Sequence, residues 1–239
     1  MRDPYLYDDV PVLRNNGNIK NAEELKKAEG DITKFSMSIA YSTEFEKFNT
    51  ETLCEIHKII FGGIYSFAGK FRTIQMTKSE KILGGDTVRY AYPNNIKIEL
   101  DSASKEISKL KSAENKKDLL FKLVRITASL WQTHPFREGN TRAVVSFSVL
   151  LAANLGINLD YEQLEKNAAY VRNSLVWGSQ GLYSKFEYLE KIYYDAANMI
   201  DKISDEAQKA QTKDYTVVNG YHVADYKEMP HIYSDISEQ

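Results

Sequence analysis

Between Leu119 and Leu130, the residues Leu119, Leu120, Leu123, Val124, Ile126, Ala128 and Leu130 leave a helix almost no polar face. A helix of that kind is stable only when other elements surround it, so the rest of the chain has to supply the cover. Helical periodicity supplies it. Leu25, Ala28, Ile32, Phe35 and Ile39 recur at three- and four-residue steps within residues 20 to 41, a helix weakened near Gly30. Thr50 is placed to cap a second helix running to Gly62, with Leu53, Ile56, His57, Ile60 and Phe61 on one side. Further helices are expected over roughly 95 to 112, 116 to 133, 141 to 155, 162 to 177 and 184 to 203. The fold class is therefore mainly α, a helical bundle built around the 116 to 133 helix.

Only one segment changes period strongly. Phe71 to Thr77 and Thr87 to Tyr92 are rich in Phe, Ile, Val, Thr and Tyr, and a polar stretch ending in Gly84-Gly85-Asp86 separates them. They predict a β-hairpin lying as an arm over the helical body, since two strands alone are marginal. Beyond about Ser204 the chain becomes polar and then tyrosine-rich. Residues 1 to 204 are expected to form one domain with an N-terminal helical extension, and residues 205 to 239 a tail, partly disordered or packed as an appendage.

Composition excludes several functions. With 31 Lys+Arg against 33 Asp+Glu the net charge is -2, and no basic cluster suggests a nucleic-acid footprint beyond a nucleotide. A single cysteine, Cys54, rules out an intrachain disulfide framework and multi-cysteine metal sites. The histidines His57, His134, His222 and His231 lack paired ligand spacing, and His57 reads as a packed or capping side chain. The start lacks a secretory signal, and the uncharged stretch from Ala143 to Leu159 is too short and too rich in Ser and Asn to span a membrane. A cytoplasmic protein is expected, or an effector exported without an N-terminal signal.

Chemistry concentrates in one string, Trp131 to Arg142, between the most buried helix and the longest uncharged one. His134 can act as a general base at neutral pH. Glu138 suits a hard cation such as Mg²⁺ shared with phosphate oxygens. Gly139-Asn140 permits a tight turn that aims amides into a cavity as the next helix begins, and with Thr141 and Arg142 it makes an anion hole for phosphate. Phe136 reads as a hydrophobic plug beneath the loop.

The string HPFREGNTR resembles the signature of the Fic family, H-x-F-x-(D/E)-G-N-G-R-x-x-R. The segment Ile64 to Lys78 resembles the family's lead into a flap over the site, and residues 3 to 16 resemble the start of bacterial members related to toxin-antitoxin proteins and host-targeted effectors. The resemblance implies a compact helical bundle and a Mg²⁺-dependent adenylyltransferase. His134 would deprotonate a Ser, Thr or Tyr hydroxyl of a target protein, and Glu138 would hold Mg²⁺ on the phosphates of ATP. Gly139, Asn140, Thr141 and Arg142 would bind those phosphates, while the target docks on the hairpin 71 to 92 by strand addition. Transfer of another phosphate-linked group (phosphoryl, UMP or phosphocholine), or a catalytically degenerate binding module, are the alternatives.

Two positions depart from the family pattern: Thr141 stands where the family has glycine, and Val145 where it has a second arginine. In the family that arginine reads the γ-phosphate and pairs with an inhibitory glutamate of a Ser/Thr-x-x-x-Glu helix. Ser42 to Glu46 and Ser234 to Glu238 match that core. Without the arginine, neither glutamate is expected to act as a strong brake, and control is expected from a separate antitoxin-like inhibitor or from target availability.

Overall fold

The central helix sits where its apolar circumference requires. In a computed structural model describing residues 3–111, 115–198 and 214–223, α4 (Lys116–Thr133) buries Leu119, Leu120, Leu123, Val124, Thr127, Ala128, Leu130 and Trp131. It packs against α3 (Ile96–Ile107), α5 (Asn140–Asn154), α7 (Ala168–Gly178) and α8 (Glu187–Ala196). On the other side of α5 lie α1 (Ala22–Tyr41) and α2 (Thr50–Phe61), packed on each other. The helix α6 (Tyr161–Lys166) leans on α7 and α8. Among the described residues, no helix is long and apolar enough to cross a membrane.

Several boundaries differ from the periodicity. Asn49, not Thr50, caps α2, its side chain accepting from the Thr52 amide at 3.0 Å. Asn21 caps α1 in the same way, and Gly30 is accommodated without a break. The helix expected over 162 to 177 is divided at Asn167 into α6 and α7, and the last begins at Glu187, with positive φ at Asn198 just after it.

The segment Phe71 to Tyr92 forms two antiparallel arms that meet at a single bridge, Ser79 with Thr87, around a 3-10 turn at Lys81–Leu83. A regular ladder is replaced by side chains: the Arg72 guanidinium takes the carbonyls of Ile74 and Ala91, one from each arm, and Thr87 Oγ1 accepts from the Lys78 amide. The regular antiparallel sheet lies elsewhere, with β1 (Val217–Val218) paired to β2 (Tyr221–His222) across Asn219-Gly220. Both turn residues have positive φ, as a tight two-residue hairpin turn requires. This part of the tail is a packed appendage: Val218 is fully buried and Tyr215 donates to Asp195 at 2.6 Å.

Candidate functional site

The string from Trp131 to Arg142 is held between the C-terminus of α4 and the N-terminus of α5. His134 ends α4 with φ 49°, a left-handed conformation uncommon for a side chain larger than glycine. Arg72 holds it there. This buried guanidinium donates through Nε to the His134 carbonyl at 2.7 Å, and the Arg72 amide donates to Pro135 O at 2.8 Å. Burial lowers its pKa to about 10, which leaves it charged at neutral pH. One cation therefore satisfies the end of α4 and both flap arms.

The other side of the loop rests on α2. Gly139 has φ 78°, and a Cβ there would come within 2.2 Å of Phe61 Cζ, so glycine is required by both the backbone and the approach. His57 is fully buried and stacks on Phe136 at 3.7 Å. It accepts from the Gly69 amide through Nδ1 at 2.8 Å, so its Nε2 donates to the Glu138 carbonyl at 2.9 Å. Burial pushes its pKa down to about 4, keeping it neutral. Asn140 closes the loop on itself, its amide accepting from Phe136 N and donating to Phe136 O, both at 2.8 Å.

The expected site residues converge on one pocket, lined by His134, Glu138, Gly139, Asn140, Thr141 and Arg142, with Phe136 buried behind. The His134 ring stacks on Tyr90 of the flap at 3.9 Å, and its Nδ1 lies 3.4 Å from the Trp131 carbonyl. A carbonyl can only accept, so this contact is a hydrogen bond when Nδ1 carries the proton, and in that neutral tautomer Nε2 is the acceptor. Glu138 receives the Gly139 amide at 2.9 Å. Among the described residues no three metal-ligating side chains cluster. A cation at Glu138 would take its other ligands from phosphate oxygens and water, which is the usual habit of Mg²⁺. The side chain of Asn140 is committed to the loop, so any phosphate contact falls to the amides opening α5.

Three arginine–carboxylate pairs reach this pocket, their carboxylates at Asp3, Glu29 and Glu80. Arg137 is bound by Asp3 at 2.8 Å, both side chains 2% exposed. Arg172 of α7 is bound in a fork by Glu80 of the flap at 2.6 and 2.5 Å. Arg142 is bound by Glu29 and by Thr33 Oγ1 of α1, with its guanidinium 4.6 Å from the Phe61 ring centre. Tyr65 also donates to Glu29. Glu46 sits exposed in the loop after α1, and Glu238 lies outside the described residues. The carboxylate on Arg142 is thus neither of the two that match the Ser/Thr-x-x-x-Glu core, and its only sequence mark is the Glu29-Gly30 step inside a helix. Asp3 and Arg72 lie in the two flanking segments that resemble the family, with no role attached to either side chain, and Glu80, Tyr90 and Arg172 carry no motif signal.

The model of the Fic/DOC family matches residues 47–152. The protein adenylyltransferase VbhT of Bartonella schoenbuchensis is 27% identical over 172 residues, covering 69% of this chain and 34% of its own length. A protein adenylyltransferase of Bartonella henselae is 25% identical over 205 residues, 81% of this chain and 37% of its own. This chain thus spans about a third of the length of those two relatives. A probable protein adenylyltransferase Fic of Escherichia coli is 27% identical, covering 70% of this chain and 80% of its own. Among solved structures, the type IV secretion system effector BepA superposes with a TM-score of 0.67 at 22% identity, over 80% of this chain and 67% of that one. BepC of Bartonella tribocorum with bound AMPPNP gives 0.67 at 21% identity, over 80% and 95%. These two show a shared fold.

Proposed function

Residues 47–152 place this chain in the Fic/DOC family, and from that premise we propose that it transfers AMP from ATP to a Ser, Thr or Tyr hydroxyl of a target protein. The observation that carries this is the meeting, in one pocket, of His134, Glu138 and the N-terminus of α5 bearing Arg142. The relatives named protein adenylyltransferase, and the fold neighbour that binds AMPPNP, support it. His134 Nε2 takes the proton of the target hydroxyl, and that oxygen attacks the α-phosphorus. The bond to the bridging oxygen breaks, and pyrophosphate leaves with that electron pair. Amides of Asn140 and Thr141, with Arg142, receive the phosphate charge, while Gly139 supplies the turn that opens α5 beneath them. Mg²⁺ at Glu138 would neutralise part of it. The flap arms, whose ladder is mostly unmade, offer the target backbone a place to pair. Control by a separate inhibitor belongs to the same proposal.

The test is incubation of a bacterial lysate with the protein, ATP and Mg²⁺, followed by mass spectrometry of the modified residue. An added AMP is expected, and His134→Ala should lose about 10²- to 10⁴-fold in rate with its melting temperature kept. Residual activity above a tenth of wild type would remove His134 from the role of base; a different added mass would reassign the donor.

A further inference from the structure

Thr141, which replaces the glycine of the family pattern, has a partner in the structure. Trp131 is buried, 1% exposed, and a buried indole N–H needs an acceptor. It donates to Thr141 Oγ1 at 2.9 Å. Glycine at this position would offer no oxygen. Trp131 in turn meets the His134 ring edge to face, with centroids 5.5 Å apart at 89°, and meets Tyr90 in the same manner at 5.9 Å and 78°. Tyr90 covers the face of the imidazole, its plane 18° from that of His134. The rings form one interlocked group, and the Thr141 hydroxyl is the polar contact that ties it to the first turn of α5.

We propose that Thr141 is a positioning residue for His134, acting through Trp131. Its hydroxyl fixes the rotation of the indole, and the indole edge and Tyr90 fix the plane of the imidazole relative to the amides that hold the donor. Small errors in that plane misdirect Nε2 from the acceptor hydroxyl, and misplacements of about 1 Å can cost on the order of 100-fold. This inference rests on the transfer reading above.

Thr141→Val keeps the shape and removes the acceptor, whereas Thr141→Ser keeps the acceptor. With ATP and Mg²⁺, the valine variant should lose about tenfold in kcat with KM for ATP within about twofold, and the serine variant should return to within about threefold of wild type. Trp131→Phe should lose as much as Thr141→Val, and the double variant no more than either. In parallel, the His134 ring-nitrogen NMR shifts should move in Thr141→Val and stay near wild type in Thr141→Ser. A raised KM with kcat held would make the Thr141 side chain a donor contact and overturn the proposal, as would unchanged ring shifts or additive losses. If wild type transfers no AMP, the transfer reading fails, and the ring shifts alone decide whether Thr141 positions His134.

Discussion

Asp3 and Glu29 each send a carboxylate to an arginine of the same loop, yet the two pairs differ in kind. Asp3 and Arg137 are sealed, each side chain 2% exposed, and Asp3 also receives the Tyr5 amide at 3.0 Å. Glu29 and Arg142 lie closer to solvent, at 16% and 32%. Coulomb attraction is similar in type, but water at the second pair offers both ions an alternative partner, and inside the first it offers none. A sealed pair fixes geometry; an open pair can be exchanged for another anion. The loop therefore has a rigid end at Arg137 and an exchangeable end at Arg142, the latter beside the amides that would receive phosphate.

The largest expected effect breaks the sealed side. Asp3→Ala removes the carboxylate that pairs with a buried guanidinium and should destabilise the fold by about 3–5 kcal/mol in urea unfolding; Glu29→Gln should stay within about 1 kcal/mol. Equal losses would erase the distinction.

The buried support beneath the loop is pH-sensitive. The His57 pKa falls from 6.5 in its ordinary state to about 4 in the fold, so between those values the unfolded chain binds the proton first. Its contribution is full above pH 6.5 and is lost as the pH falls towards 4, a change of roughly 3 kcal/mol. Subtracting the pH–stability curve of His57→Gln from that of wild type should recover this step, and a flat difference would show that His57 does not titrate as a buried neutral group.

The smallest effect sharpens the open side. If Glu29 competes with the donor for Arg142, Glu29→Gln should tighten ATP binding about tenfold, or ~1.4 kcal/mol, by calorimetry. An unchanged affinity would mean that Arg142 serves both partners at once.

The helical frame was legible in the sequence because burial writes a period into it. The expected 116 to 133 matches α4, since Leu119 to Leu130 admits no other environment. The pocket residues were legible because they are contiguous. The flap departs from a regular hairpin because, although Phe71 to Thr77 has strand-like composition, its geometry is set by Arg72, whose partners lie 2, 19, 61 and 62 residues away. The tail sheet had a readable mark, Asn219-Gly220 between Val218 and Tyr221, which the tyrosine-rich composition obscured. Glu29 was hidden because the periodicity of α1 says which face turns inward but not which arginine it meets. His57 was readable only as a packed residue; its hydrogen bond to Glu138 depends on a tertiary approach.

The three pairs that reach the pocket join residues 134, 113 and 92 positions apart, Asp3 with Arg137, Glu29 with Arg142 and Glu80 with Arg172. Each closes a long loop, and a folding chain gains the contact only after giving up the freedom of everything between its ends. During synthesis the three acids leave the ribosome well before any of the arginines. Helix α4 can collapse with its neighbours beforehand, but the pocket acquires its charge arrangement only once α7 has been made and docked, which makes competence for chemistry among the last properties the growing chain acquires.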